Sequence, residues 1–201
     1  MASEISKRTD EVIKLGAVPP LKQLGFKKKS RTFHRTVGET IQAINFQANK
    51  YNEGASGSFT VNLGVYMESI AELTDGILSE APHPSASTIW IRLGHLLPDP
   101  GDKWWQIDPE IDSKDVARDL ESALMEYGMP WLDRTSSRDG MRDAFSKGSP
   151  AYFHPRAPIA LEILDGNTED ASALLHSRLK DAANPGFVNQ MTEWGRKYDL
   201  L

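Results

Sequence analysis

Cysteine is absent from all 201 residues, and that absence removes a disulfide framework, a thiolate zinc site and a cysteine nucleophile together. Long apolar runs are missing too. No stretch approaches the roughly 18 residues that a membrane-spanning helix needs, and the start, Met1 to Arg8, has no apolar segment of signal-peptide length. A soluble, cytoplasmic protein with no membrane partner is expected. The common catalytic signatures are also lacking. Gly54-Ala55-Ser56-Gly57 misses the final spacing of a nucleophile elbow, and neither a G-x-x-x-x-G-K-[ST] loop nor a G-x-G-x-x-G turn occurs. His34, His83, His95, His154 and His176 fall in no paired zinc spacing, and the acidic series Asp99, Asp102, Asp108, Glu110, Asp112 and Asp115 lacks the glycine and ligand spacing of a calcium loop. No metal, cofactor or catalytic residue is therefore assigned.

What is present fits an ordinary globular chain. The apolar content of 39% and charged content of 25% argue against disorder, and the length suffices for a core without staples. Net charge is −5, but it is unevenly spread: residues 1–50 carry ten Lys/Arg against four Asp/Glu, so the rest of the chain carries −11. Such asymmetry steers a partner, or is neutralised internally when the basic start packs beside the acidic end.

The periodicity changes along the chain. Ile5, Val12, Ile13 and Leu15 mark an opening helix ending at Gly16, and Pro19-Pro20 precede a short turn through Leu21 and Leu24. Segments 32–35, 40–48, 58–67 and 87–93 read as strands. A short turn at Val37-Gly38-Glu39 and a polar loop at 52–57 make the first three an antiparallel meander, and the fourth joins after an excursion through 68–84. A turn-rich loop, Pro98 to Ile107, holds Trp104-Trp105. Asp112 then caps a helix whose stripe, Val116, Leu120, Ala123, Leu124 and Tyr127, ends at Gly128 and Pro130. From Trp131 onward only helices and loops are expected, over 136–145, 158–164, 168–182 and 185–198. Asn167 and Asn184 serve as N-caps, and the last two helices form a hairpin. The expectation is α+β: about four antiparallel strands packed by helices within 1–130, and a helical C-terminal extension over 131–201.

The segments Leu24-Gly25-Phe26-Lys27-Lys28-Lys29, Arg31-Thr32-Phe33, Ile44-Asn45-Phe46-Gln47, Phe59 to Val65 and Asp102-Lys103-Trp104-Trp105 resemble, in order and spacing, a bacterial family known as domain of unknown function 4304. The resemblance covers roughly residues 5–127. It implies a small α+β fold and brings no activity, substrate or catalytic residue.

Period-two alternation separates two sheet faces. Phe59, Val61, Leu63, Val65 and Met67 point to one, with Phe33, Ile44, Phe46, Ile89, Ile91 and Leu93. Thr32, His34, Asn45, Gln47, Thr60, Asn62, Tyr66, Trp90 and Arg92 point to the other. The second set is either a solvated outer face or a surface that recognises a carboxylate, phosphate or extended peptide. Trp104 and Trp105 either both plug the end of the sheet, or one packs while the other is presented as a binding hot spot.

The run Lys27-Lys28-Lys29, with Arg31 and Arg35, reads as phosphate-binding or as an edge strand guarded by lysines. The pI of about 5.6 and the lack of a nucleic-acid motif rank nucleic acid third. First stands a protein- or peptide-interaction module, regulatory or inhibitory, using His34, Asn45, Gln47, Asn62, Tyr66, Trp90, Arg92, Trp104 and Trp105. Second stands a small-molecule enzyme in which Arg92 holds an anion and His34 or His95 acts as acid or base. The partner's identity and the oligomeric state stay open.

Overall fold

The hairpin at Gly38-Glu39 sets the register of the two strands that it joins. In the computed structural model, which describes residues 3–74, 78–146 and 148–201, Val37 pairs with Thr40, and Gly38 adopts the left-handed φ of 55° that the two-residue turn needs. From it run β2 (Thr32–Val37) and β3 (Thr40–Ala48), and β3 pairs along its whole length with β4 (Gly57–Met67). The remaining strands are β1 (Lys27–Lys29), β5 (Ile89–Arg92), β6 (Trp105–Ile107) and β7 (Tyr152–Phe153).

The sheet thus has seven strands rather than about four, ordered β1-β2-β3-β4-β5-β7, with β6 on β4 below β5. Every pairing is antiparallel. β1 answers to the edge-strand reading of its lysines, whereas β6 and β7 were not expected; all three have two or three residues each, too few for alternation to register. β7 lies where only helices and loops were expected. The excursion expected at 68–84 includes 75–77, which lie outside the described residues.

Contacts divide the chain into two units: Met1–Met67 with Ser79–Phe153, and Glu68–Leu78 with His154–Leu201. In the first, Ser3 accepts from the Ser6 N–H to cap α1 (Glu4–Gly16), which buries Ile5, Thr9, Val12 and Ile13 along one stripe. Gly16 ends α1 where a Cβ would lie 2.3 Å from the Ala117 carbonyl oxygen, so glycine permits the close crossing with α4 (Ser113–Ala123). The expected turn at Leu21 is a helix, α2 (Val18–Gln23), with Pro19 and Pro20 in its first turn, where a missing N–H costs nothing.

Asp112 caps α4 by accepting from the Lys114 N–H, and Ala117, Leu120 and Ala123 are buried. Gly128 and Pro130 do not stop the chain's helical course as expected. A π turn, Leu124–Gly128, leads into α5 (Met129–Thr135), which takes Pro130 in its first turn, and α6 (Arg138–Ala144) follows. Gly128 faces Leu63 and Leu93, where a Cβ would lie 3.4 and 3.2 Å from their methyls.

On the sheet's helix-facing side Phe33, Ile44, Phe46, Phe59, Val61, Leu63, Val65, Ile89 and Ile91 are all buried. Phe33, Phe46, Phe59 and Trp105 form a continuous chain of ring contacts with centroids 5.7 to 6.3 Å apart.

The second unit holds α3 (Glu68–Thr74), α7 (Ala157–Leu164), α8 (Thr168–Asp181) and α9 (Pro185–Lys197). Asn184 caps α9 through the Gly186 and Phe187 N–H groups, with Pro185 in the first turn. Asn167 sits at the start of α8 but makes no cap bond; its amide donates to Glu162 instead. The expected α8–α9 hairpin packs Ala171 and Leu175 against Met191 and Trp194, with Ile159 and Leu200 completing the cluster. A Cβ on Gly195 would lie 2.3 Å from a Leu175 methyl. Trp194 Nε1 and the Tyr198 hydroxyl donate to the Leu73 carbonyl at 2.8 and 3.3 Å, and Arg156 donates to Thr74 O at 3.1 Å. These donors satisfy the terminal carbonyls that the end of α3 leaves open.

Candidate functional site

The register assembles rows of side chains across the second face of the sheet. Lys29 lies opposite Thr32, Thr32 opposite Asn45, Asn45 opposite Asn62, and Asn62 opposite Arg92. One step along, Lys27, His34, Ala43, Gly64, Trp90 and Tyr152 form a second row, and Gln47 pairs with Thr60 in a third. Directly opposed residues point to the same side. Asn45, Gln47, Asn62, Trp90 and Arg92, chosen on alternation alone, therefore do share one face.

This face is neither bare nor uniform. β4 is buried on both sides: Val61 and Leu63 are fully enclosed, and so is Thr60, with Asn62 only 3% exposed. Within the first unit the cover comes from two connections. Pro84 and Ser87 press on Gly64, where a Cβ would lie 2.7 and 2.6 Å from their atoms. Tyr66 accepts from the Ser79 N–H at 3.3 Å, and His34 Nε2 donates to the Pro82 carbonyl at 2.9 Å. At the other end Thr60 donates to Lys103 O at 2.9 Å. His34 and Tyr66 are thereby tied under the 79–87 segment, while Asn45, Gln47, Arg92 and Trp104 keep partial or full access to solvent.

The hydrogen bonds of the polar floor are incomplete. Asn45 donates to Thr32 Oγ1 and Asn62 to Gln47 Oε1, each at 2.9 Å. Asn62 Oδ1 is buried with no partner. Such an acceptor is costly, because folding strips its water and returns nothing.

Beside it, Arg92 Nη1 meets Asp102 Oδ2 at 2.5 Å and its guanidinium lies 5.4 Å from the Trp104 ring centroid. Burial pushes the Asp102 carboxyl up, but hydrogen bonds from Arg92 and Trp104, with the charges of Arg92 and His95, outweigh it and hold the group below its usual range. Arg92 is thus already neutralised, which weakens its assignment as an anion holder. His95 has Asp102 in electrostatic reach. The adjacent open cavity of about 470 Å³, lined by Leu97, Pro98, Asp99, Gly101, Asp102 and Lys103, contains two carboxylates and no histidine.

The two tryptophans part company. Trp105 belongs to the helix-facing side: it is buried, stacked on Phe59 at 5.8 Å, and its Nε1 donates to Asp119 at 2.7 Å. Trp104 is half-buried beside Arg92. Trp90, also half-buried, stacks on Tyr152 at 4.5 Å with 19° between the rings.

Tyr152 was missed because β7 carries no period of its own, yet it is 53% exposed and extends the Trp90 ring outward. In the sequence Asp102 stands in the acidic series and in the family-like segment Asp102-Lys103-Trp104-Trp105, and its role follows from the loop geometry that brings it to Arg92. Among the described residues no group of three or more His, Asp or Glu could hold a metal ion, and no helix is long and apolar enough to cross a membrane.

One family model, described as Domain of unknown function (DUF4304), matches residues 17–134. No curated protein and no solved structure matches the chain.

Proposed function

The chain belongs to that family, whose description assigns no activity, and from this premise we propose that it is a cytoplasmic protein- or peptide-interaction module of a regulatory or inhibitory kind. The observation that carries the reading is a strip on the second sheet face in which Tyr152 stacks on Trp90 and Arg92 stacks on Trp104. Alternation puts Trp90 and Arg92 on the same side of β5, so the two stacked pairs are neighbours. Tyr, Trp and Arg dominate binding hot spots because they bury much area while keeping a polar handle, and truncating such a residue costs about 2 kcal/mol or more. Asn45 and Gln47 beside the strip supply the adaptable polar contacts that a protein surface reads.

The test is capture from a lysate of the native host on the immobilised full chain. Trp104→Ala and Tyr152→Ala each leave the buried core intact, as circular dichroism verifies. Each is expected to reduce capture of one dominant protein by about tenfold or more, which corresponds to at least 1.4 kcal/mol. Equal capture by both variants and the unaltered chain overturns the proposal.

A further inference from the structure

We infer that the segment docking on this face is an acidic, extended stretch of the partner protein; the inference rests on the interaction reading and deepens it. Strands β1 to β5 contain no aspartate or glutamate, although the chain has 28. The register turns Lys27 and Lys29 toward the second face, opposite His34 and Thr32, while Lys28 lies opposite Phe33 with its ammonium 5.8 Å from that ring. Lys27 and Lys29 are exposed and take part in none of the ion pairs found among the described residues.

Other cations near the sheet are already matched: Arg31 with Asp10, Arg35 with Asp133, Arg92 with Asp102, Lys103 with Asp119. Asp102, the carboxylate beside this face that the geometry identifies, is spent on Arg92. The face therefore presents two unmatched positive charges within a molecule of net charge −5. Lysines on an edge strand also deter sheet-to-sheet association. Edge protection does not explain why carboxylates are missing from all five strands.

The dimensions suit a short extended segment. Four strand spacings of about 4.8 Å separate β1 from β5, so crossing from Lys29 to Arg92 takes about 19 Å, the length of about six extended residues. Carboxylates at one end would meet Lys27 and Lys29. Main-chain groups would meet the amides of Asn45 and Gln47, which reach solvent, while Asn62 lies enclosed beneath the path. A nucleic-acid strand is the competing occupant, but the −11 carried by residues 51–201 opposes a phosphate polymer running beyond the patch.

Fluorescence anisotropy of labelled octaglutamate, octalysine and octathymidylate, titrated with the full chain at 50 and 200 mM salt, tests this. Octaglutamate is expected to bind, to weaken several-fold at the higher salt, and to weaken about tenfold in the Lys27→Glu/Lys29→Glu double variant. Lys28→Glu faces the other way and should change binding less than about threefold. Octalysine binding as well as octaglutamate, tighter binding of octathymidylate, or an equal effect of Lys28→Glu would each overturn the inference. If octaglutamate does not bind while Trp104→Ala still abolishes lysate capture, the acidic segment is refuted and the interaction module stands. Failure of both removes both.

Discussion

Replacing Asn62 by leucine should make the protein more stable, an unusual outcome for a position in the middle of a sheet and one that the geometry of β4 supports. Asn62 is 3% exposed, donates to Gln47 Oε1 at 2.9 Å, and leaves Oδ1 without a partner. An unsatisfied buried acceptor costs about 1–3 kcal/mol, and a neutral hydrogen bond contributes about 1 kcal/mol. Leucine keeps the same branched outline with bulkier methyls in place of the amide atoms, removes the orphan, and forfeits a bond whose other partner is exposed and turns to water. The balance is a gain of about 1 kcal/mol, or about 0.3–1 M in the urea midpoint at ordinary m-values. Asn45→Leu is the control: Asn45 is half-buried and donates to Thr32, so it should lose up to about 1 kcal/mol. Urea titration followed by tryptophan fluorescence and circular dichroism reads both. A loss of more than about 1 kcal/mol in Asn62→Leu would mean that ordered water satisfies Oδ1. The polar floor would then be structural rather than a docking feature.

The adjacent tryptophans should behave oppositely: Trp105→Ala loses about 3–5 kcal/mol by removing a buried ring from the Phe59 stack, whereas Trp104→Ala stays within about 1 kcal/mol, and similar urea midpoints for the two would refute their placement. His83 makes stability depend on pH. Burial first, then the neighbouring His34 charge, lowers its pKa below 6.5, and its Nδ1 accepts from the Ser85 N–H, which only the unprotonated ring can do. Between the lowered value and 6.5 the unfolded chain binds more protons than the native one, so this contribution is complete above 6.5 and fades as pH falls through the folded value. His83→Gln should flatten the stability profile there, and an imidazole titrating at or above 6.5 by NMR would contradict the assignment.

How far the fold could be read ahead depended on strand length. β3 and β4 have nine and eleven residues, long enough for alternation to show which side Val61 and Asn62 occupy; the Gly38-Glu39 turn aligns Asn45 with Thr32, and the longer 49–56 loop aligns it with Asn62. β1, β6 and β7 are strands because a neighbour offers hydrogen bonds, and no local pattern in Lys27–Lys29 or Tyr152–Phe153 announces that. Trp105 illustrates the loss. Its side is set by pairing with Phe59, a contact across 46 positions of chain that the dipeptide Trp104-Trp105 cannot reveal. The caps at Asp112 and Asn184 were legible because capping is local. The cover over Gly64 and His34 was not: Pro82, His83, Pro84 and Ser85 mark an irregular segment without saying where it lies.

The composition of β4 itself argues for a site. A strand enclosed on both sides is ordinarily apolar on both, because a polar group buried without full hydrogen bonding lowers stability and adds nothing to packing. The helix-facing side of β4 obeys this with Phe59, Val61, Leu63 and Val65, all fully buried. The second side carries Thr60, Asn62, Gly64 and Tyr66. Thr60 is answered by Lys103 O, Gly64 by the close approach of Pro84 and Ser87, and Tyr66 by the Ser79 N–H. Asn62 alone keeps an unanswered atom, and its neighbours across the sheet are Asn45 and Arg92, both in reach of solvent. A valine or leucine there would serve the fold at least as well. Polarity that stability does not require, held beside the Trp90–Tyr152 and Arg92–Trp104 pairs, fits the proposed docking face, because a sequence departs from the best solution for folding at functional positions.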